Sequence, residues 1–295
     1  MAKVSVVPLT RNRFDDWVSV YNEGRQNLSG FVSFHAQELR VMIRNHQCRQ
    51  EDLYLALRNR RPTATARFLK DVDSRMSFIA DLSSVPDTNS GVEALIEFLM
   101  ERARENGSMA VASWAFMAQV RVADILSKFT FDTRRVRYEM LADLSQTKVR
   151  GSPLNTQVRK CDHMNSLREF GAFNGRSGIR PLDMFELRDE ISDEWRPRFL
   201  GFGDVSDGHL MVASRSNIKR RKGRIDLTHL ATGFVKQKGL LSELIHDLVV
   251  NLYRDGVREV KLEIDAGTDL KQSLMDSGFE VKRTLMEMCL DILQD

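Results

Sequence analysis

The stretch Phe131 to Leu144 reads FDTRRVRYEMLADL, and Phe279 to Ile292 reads FEVKRTLMEMCLDI, without a gap at an offset of 148 (279 − 131). Five of these fourteen pairs are identical: Phe131/Phe279, Arg135/Arg283, Glu139/Glu287, Met140/Met288 and Asp143/Asp291. Composition alone would give about one. Asp132/Glu280, Arg134/Lys282 and Leu144/Ile292 are conservative matches. A match of this length means that the chain repeats a structural unit, so the fold has to be read twice.

Working back from the repeat, the preceding segments correspond as well. Val92, Leu95, Ile96, Leu99 and Ala103 share one helical face, as do Leu241, Leu244, Ile245, Leu248 and Leu252 at an offset of 149. Both helices run into a glycine, Gly107 or Gly256, which suits a left-handed C-cap. A strand follows (Met109 to Trp114, Val257 to Ile264), then a short helix (Gln119 to Lys128, Asp269 to Asp276), then the repeated strand. Upstream, Asp52 to Arg58, Thr63 to Leu69 and Met76 to Ser83 read as three strands. The second half offers His209 to Arg215 and Arg224 to Thr232, joined by the basic turn NIKRRKG. Each half opens with a strand and a helix, the first helix showing Phe14, Trp17, Val18 and Tyr21 at helical spacing. The polar stretch SQTKVRGSPLNTQ marks a boundary, which predicts domains over residues 1–145 and 158–295 with a linker over 146–157.

Composition narrows the functional classes. The chain has 295 residues, 42% hydrophobic and 29% charged, ordinary for a soluble globular protein. The longest weakly polar run, Met109 to Val120, is too short to span a bilayer, and the N-terminus lacks the apolar core of a signal peptide. A cytoplasmic protein without membrane contact is therefore expected. The net charge of +3 predicts no polyanionic partner such as nucleic acid. Three scattered cysteines and six histidines without ligand spacing predict neither a disulfide framework nor a metal site.

The order strand, one or two helices, three strands, amphipathic helix, strand, helix, strand resembles the GNAT family of N-acetyltransferases, here in two tandem copies. The segment between the fourth strand and the long helix carries most of the likeness. The family pattern is V-x-x-x-x-[QR]-x-x-G-x-[GA], and the second half reads Ala231, TGFV, Lys236, QK, Gly239, Leu240, Leu241. Its spacing is kept, although Ala231, Lys236 and Leu241 depart from the pattern. LMDSGFE (Leu274 to Glu280) is similar to the family's L-Y-x-x-x-G-F. The resemblance implies an α/β (α+β) fold of two domains, each a mixed, mostly antiparallel sheet flanked by helices. It also implies acetyl-coenzyme A, or another acyl-coenzyme A, as co-substrate.

A helix N-terminus offers unpaired N–H groups and the positive end of a dipole, which suits a diphosphate. Leu230, Ala231, Lys236, Gln237, Lys238, Gly239, Leu240 and Leu241 are the expected cofactor-binding residues. A plain glycine-containing turn with two solvated lysines remains the alternative. The first half has Val85, PDTN, Ser90, GV, Glu93, Ala94, Leu95 at the matching place, and an alignment on this loop puts Glu93 at the glycine position. A carboxylate there would repel a diphosphate, which predicts a degenerate first domain.

Acyl transfer to an amine needs a base for the amine, donors for the oxyanion and a proton for the departing thiolate. On the fourth strand of the second half, Asp226 is the first candidate base and His229 the second. The alternative for Asp226 is a carboxylate paired with Arg224 or a lysine of the preceding turn. The family's acidic tyrosine is replaced by Leu274, leaving Ser273, Tyr253 or water as donor. The expected activity is N-acylation of a small-molecule or peptide amine by direct transfer in the second domain, by a monomer or homodimer. A non-catalytic tandem binding or regulatory protein is the alternative.

Overall fold

The computed structural model describes residues 4–71, 74–86, 88–145, 158–160, 181–192, 195–205, 208–227, 238–267 and 270–292. The chain forms two compact units, and neither is a continuous stretch. Unit 1 comprises Met1–Arg135, Pro181–Ser192 and Leu285–Asp295; unit 2 comprises Val136–Arg180 and Asp193–Thr284. The contiguous division expected around 146–157 therefore gives way to an exchange of segments between the two halves.

In unit 1 the strands β1 (Val4–Pro8), β2 (Leu53–Arg58), β3 (Arg61–Asp71), β4 (Met76–Ser84) and β5 (Ala110–Phe116) lie in that order. The edge beyond β5 is closed by the last part of β12 (Phe279–Asp291). Only β4 and β5 run parallel. The helices of this unit are α1 (Phe14–Glu23), α2 (Ala36–Arg44), α3 (Asn89–Glu105), α4 (Val120–Lys128) and α5 (Met184–Ser192). Unit 2 repeats the plan with β7 (Val158–Lys160), β8 (Arg196–Val205), β9 (Gly208–Asn217), β10 (Lys222–Leu227) and β11 (Glu259–Asp265). Its closing strand is the last part of β6 (Asp132–Asp143), and its parallel pair is β10 with β11. The helices α6 (Lys238–Arg254) and α7 (Leu270–Asp276) belong to it. Each sheet is thus mixed and mostly antiparallel, as the resemblance implies.

The two long helices are amphipathic for a physical reason visible in the cores. Val92, Leu95, Ile96, Leu99 and Ala103 of α3 are buried against Ala64, Ala66, Ile79 and Val111 of the sheet. Leu241, Leu244, Ile245, Leu248 and Leu252 of α6 meet Ile225, Val260, Leu262 and Met140 in the same way. Both helices end as expected: Gly107 and Gly256 have φ of +69° and +92°, and Ser108 and Val257 donate back to Ala103 and Leu252. At the next cap, Gly278 takes φ +90°, but its counterpart Thr130 holds φ +62°, a conformation costly for a residue with a branched Cβ.

The closing strands explain the repeated sequence. Residues Leu285 to Asp291 pair antiparallel with β5, Met288 facing Ser113. Residues Arg137 to Asp143 pair antiparallel with β11, Met140 facing Leu262. These rungs correspond, because Met140 and Met288 are 148 apart and Ser113 and Leu262 are 149 apart. In unit 2, Arg283 donates to both oxygens of Glu139 at 2.8 and 2.7 Å, and Lys261 pairs with the same carboxylate. In unit 1, Arg135 lies 3.6 Å from Glu287. Each arginine of the repeat therefore meets the glutamate of the other copy. Phe131 is buried in the core of unit 1 and Phe279 in that of unit 2.

Among the described residues no helix is long and apolar enough to cross a membrane. The difference between the two ion pairs is testable. Glu139 is almost fully buried, so Glu139→Ala should destabilise the protein by about 3–5 kcal/mol, having taken the carboxylate from two cations. The more exposed Arg135→Ala should cost about 1 kcal/mol or less in the same urea titration.

Candidate active site

Parallel neighbours that part at their carboxyl ends leave a crevice, and that is where sheets of this kind receive ligands. In unit 1 the parallel pairing runs from Met76↔Ala110 to Ile79↔Ser113 and stops. The Ser113 hydroxyl donates to the Ile79 carbonyl at 2.8 Å, closing the last rung. In unit 2 it runs from Lys222↔Glu259 to Ile225↔Leu262. Asp226 and Glu263 are the first residues beyond that point.

The crevice of unit 1 is filled. Just past the parting, β4 bulges against β3, because Thr65 faces Ser83 while Arg67 faces Ala80. Asp81 sits in the bulge with φ +58°, a strained conformation for an aspartate. Its buried carboxylate lies 2.6 Å from Nε of Arg67 and accepts the Met184 N–H at 2.7 Å. Arg25 reaches Asp81 at 4.0 Å and is paired with Asp183. The Tyr21 hydroxyl donates to Asp183 and accepts from the Phe185 N–H at 2.9 Å. Burial pushes the Asp81 carboxyl up to about 7 against the opposing pull of Arg67, with Asp183 raising it further. Tyr21 is pushed well above its usual range, chiefly by burial and secondarily by Asp183. These groups leave the place at the strand ends occupied by protein.

Unit 2 differs at the same level. The β9–β10 register is continuous from Lys222↔Asn217 to Leu227↔Val212, with no bulge. Asp226 is buried, and both of its oxygens accept from guanidinium groups: Arg215 Nε at 2.8 Å and Arg224 Nε at 2.9 Å. Pairing with Arg224 was one of the two readings left open by the sequence. Ser273 lies on α7, its hydroxyl 2.8 Å from that of Ser242 in the opening turns of α6. Tyr253 stands 15 residues further along α6 than Lys238, roughly 22 Å at 1.5 Å per residue, too far to serve chemistry at the N-terminal end. That removes it as a proton donor. Lys238, Gly239, Leu240 and Leu241 form the first turn of α6, and Leu241 is buried in the core. His229, Leu230, Ala231, Lys236 and Gln237 lie outside the described residues.

The elements also correct the alignment of the two loops. The parallel pairs match at an offset of 146 on the fourth strand (222 − 76), whereas α3 and α6, both 17 residues long, match at 149 (238 − 89). The second half therefore has three more residues between strand and helix. The helical counterpart of Gly239 is Ser90, and Glu93 corresponds to Ser242. Glu93 does not stand at the glycine position. What distinguishes the first unit is a shorter connection and an occupied crevice.

No family model matches the sequence, and no curated protein does. Solved structures do match its fold. A GCN5-related N-acetyltransferase from Sphaerobacter thermophilus superposes with a TM-score of 0.66 at 15% identity, covering 99% of this chain and 96% of that one. A tandem GNAT protein from the clavulanic acid biosynthesis pathway gives 0.60 at 12% identity, over 99% and 100% of the two chains. A glucosamine N-acetyltransferase region of a fungal multi-domain β-N-acetylglucosaminidase gives 0.65 at 11%, over 98% of this chain and 38% of that one. The fold is that of tandem GNAT proteins. The GNAT topology places each parallel pair and its crevice at corresponding positions in the two units.

The Asp81 cluster gives this chain a signature in pH. A carboxyl whose folded pKa is raised, from about 3.8 toward about 7, holds its proton more tightly folded than unfolded. Its contribution to stability is fullest below about pH 4, falls as pH rises to about 7, and is constant above. Asp81→Asn should flatten that part of the profile, measured as the urea midpoint between pH 4 and 8; an unchanged slope would assign it to other groups.

Proposed function

We propose that unit 2 transfers an acyl group, acetyl in the simplest case, from coenzyme A to an amine. The observation that carries this reading is the longer connection into α6, whose first turn contains Gly239, following a parallel pairing of β10 with β11 that ends at Ile225↔Leu262. Three additional residues give the backbone the length to curl around a diphosphate, and the helix N-terminus supplies N–H groups and dipole. Lys236 and Lys238 add charge. The amine nitrogen attacks the thioester carbon, the carbon–sulfur bond breaks, and the amine's proton must leave while the thiolate gains one. With both oxygens of Asp226 engaged by arginines, His229 is the base in this reading and Asp226 positions the strand. Ser273, linked to Ser242, is the protein's donor toward the thiolate, with water in reserve. The acceptor is a small-molecule or peptide amine.

The non-catalytic reading has one observation in its favour: Leu274 is buried in the core, where the family pattern puts an acidic tyrosine. Cofactor binding and turnover separate the two. Acetyl-coenzyme A at 100 times its dissociation constant should add about 2.7 kcal/mol of stability. Gly239→Glu should abolish that gain. With an acceptor identified by screening amines, His229→Gln should lower kcat about 10²-fold to 10⁴-fold near neutral pH with acetyl-coenzyme A affinity kept. Stabilisation without turnover for any amine would leave the non-catalytic reading; no stabilisation would end the transferase reading.

A further inference from the structure

We propose that the crevice of unit 1 is a receptor for residues 181–192, an occupant supplied by the second half of the chain, and that the role of unit 1 is to anchor this segment rather than to bind a thioester. Recognition is built from first-half elements. Arg67 donates to the Leu182 carbonyl, Arg25 and Tyr21 hold the Asp183 carboxylate, and Asp81 and the Tyr21 oxygen take the Met184 and Phe185 N–H groups. These last two are among the N–H groups that the opening turn of a helix leaves without internal partners. The side chains follow the backbone: Phe185 packs edge-on to Phe31 at 5.6 Å and against Phe116 at 6.0 Å, and Met184 is fully buried. Further along, Arg188 reaches the Ser33 carbonyl at 3.2 Å and Glu38 at 3.8 Å.

Charge shows that the receptor is incomplete alone. Among the groups that face one another here, β3 and the turn after α1 contribute two buried guanidiniums, Arg67 and Arg25, while β4 contributes one carboxylate, Asp81. Asp183 supplies the missing negative charge, and a buried cation without it is costly. The choice of segment is specific. The helix α2 has the same capping arrangement at an offset of 148, with His35 and Glu38 in place of Asp183 and Glu186, but His35 cannot give Arg25 a carboxylate.

Hydrogen exchange on the full chain tests this. Asp183→Asn keeps a good helix N-cap while removing the charge. It should raise the exchange rates of the amides of residues 184–188 by about 10²-fold, with those of α6 and β11 unchanged. Adding Arg25→Met to that variant should recover protection. Should Asp183→Asn unfold unit 1 altogether, Arg188→Ala provides the milder case, with a smaller increase confined to the same segment. Wild-type exchange rates at 184–188 after Asp183→Asn, or new protection of residues 85–90 when acetyl-coenzyme A is added to the unaltered protein, would overturn the proposal. It does not depend on the proposed activity: a chain that binds no acetyl-coenzyme A but shows the Asp183 effect would sink that activity and leave the anchor standing.

Discussion

The salt bridge between Arg283 and Glu139 joins the two copies of one repeated strand, and the rest of the architecture depends on the exchange it marks. A sheet that ends at β5 or β11 would expose a row of unpaired backbone groups. Here each of those strands receives the closing strand of the other half, in matching register. The apolar residues on those strands then complete both cores: Met140 and Ala142 lie under α6, while Met288 and Ile292 lie under α3. A strand that has to satisfy an ion pair, a backbone ladder and a core at once has little freedom to drift.

The two units share a plan and differ in small ways at the strand ends. Three residues in one connection and a bulge on one strand separate the two units at this level. In unit 1 the strain at Asp81 is borne by surrounding contacts, with Arg67 on one side and the α5 backbone on the other. In unit 2 the buried carboxylate of the fourth strand, Asp226, lies one register position earlier, on a regular strand between arginines of β9 and β10.

Much of the fold was legible in the sequence because its signals are local. Helical spacing found α3 and α6, turn-like residues between short runs found β2 to β4, and the glycines at 107 and 256 found their caps. The exchange was not legible, since a sequence repeat says that two strands are alike and nothing about which neighbour each will choose. Nor was the role of residues 181–192, although Asp183 followed by Glu186 before an apolar stretch is a capping box that announces a helix. The misplacement of Glu93 has a plain cause: aligning on the loop hid a three-residue difference that only paired strands and helix starts reveal. Asp226 showed the limit of reading a single strand, because Arg224 was within view as a partner while Arg215 arrives from β9.

The strand exchange also has a consequence in time. As the ribosome releases the chain, β5 emerges roughly 170 residues before the segment that pairs with it, an interval on the order of 10 to 30 s at ordinary elongation rates. The anchor segment for its crevice also emerges later. Unit 1 is thus begun first and finished last, and until then it carries an open sheet edge and a buried site short of one negative charge. A nascent chain in that condition is a natural client for a chaperone, and its folding yield should be more sensitive to pauses late in translation than to pauses within the first half.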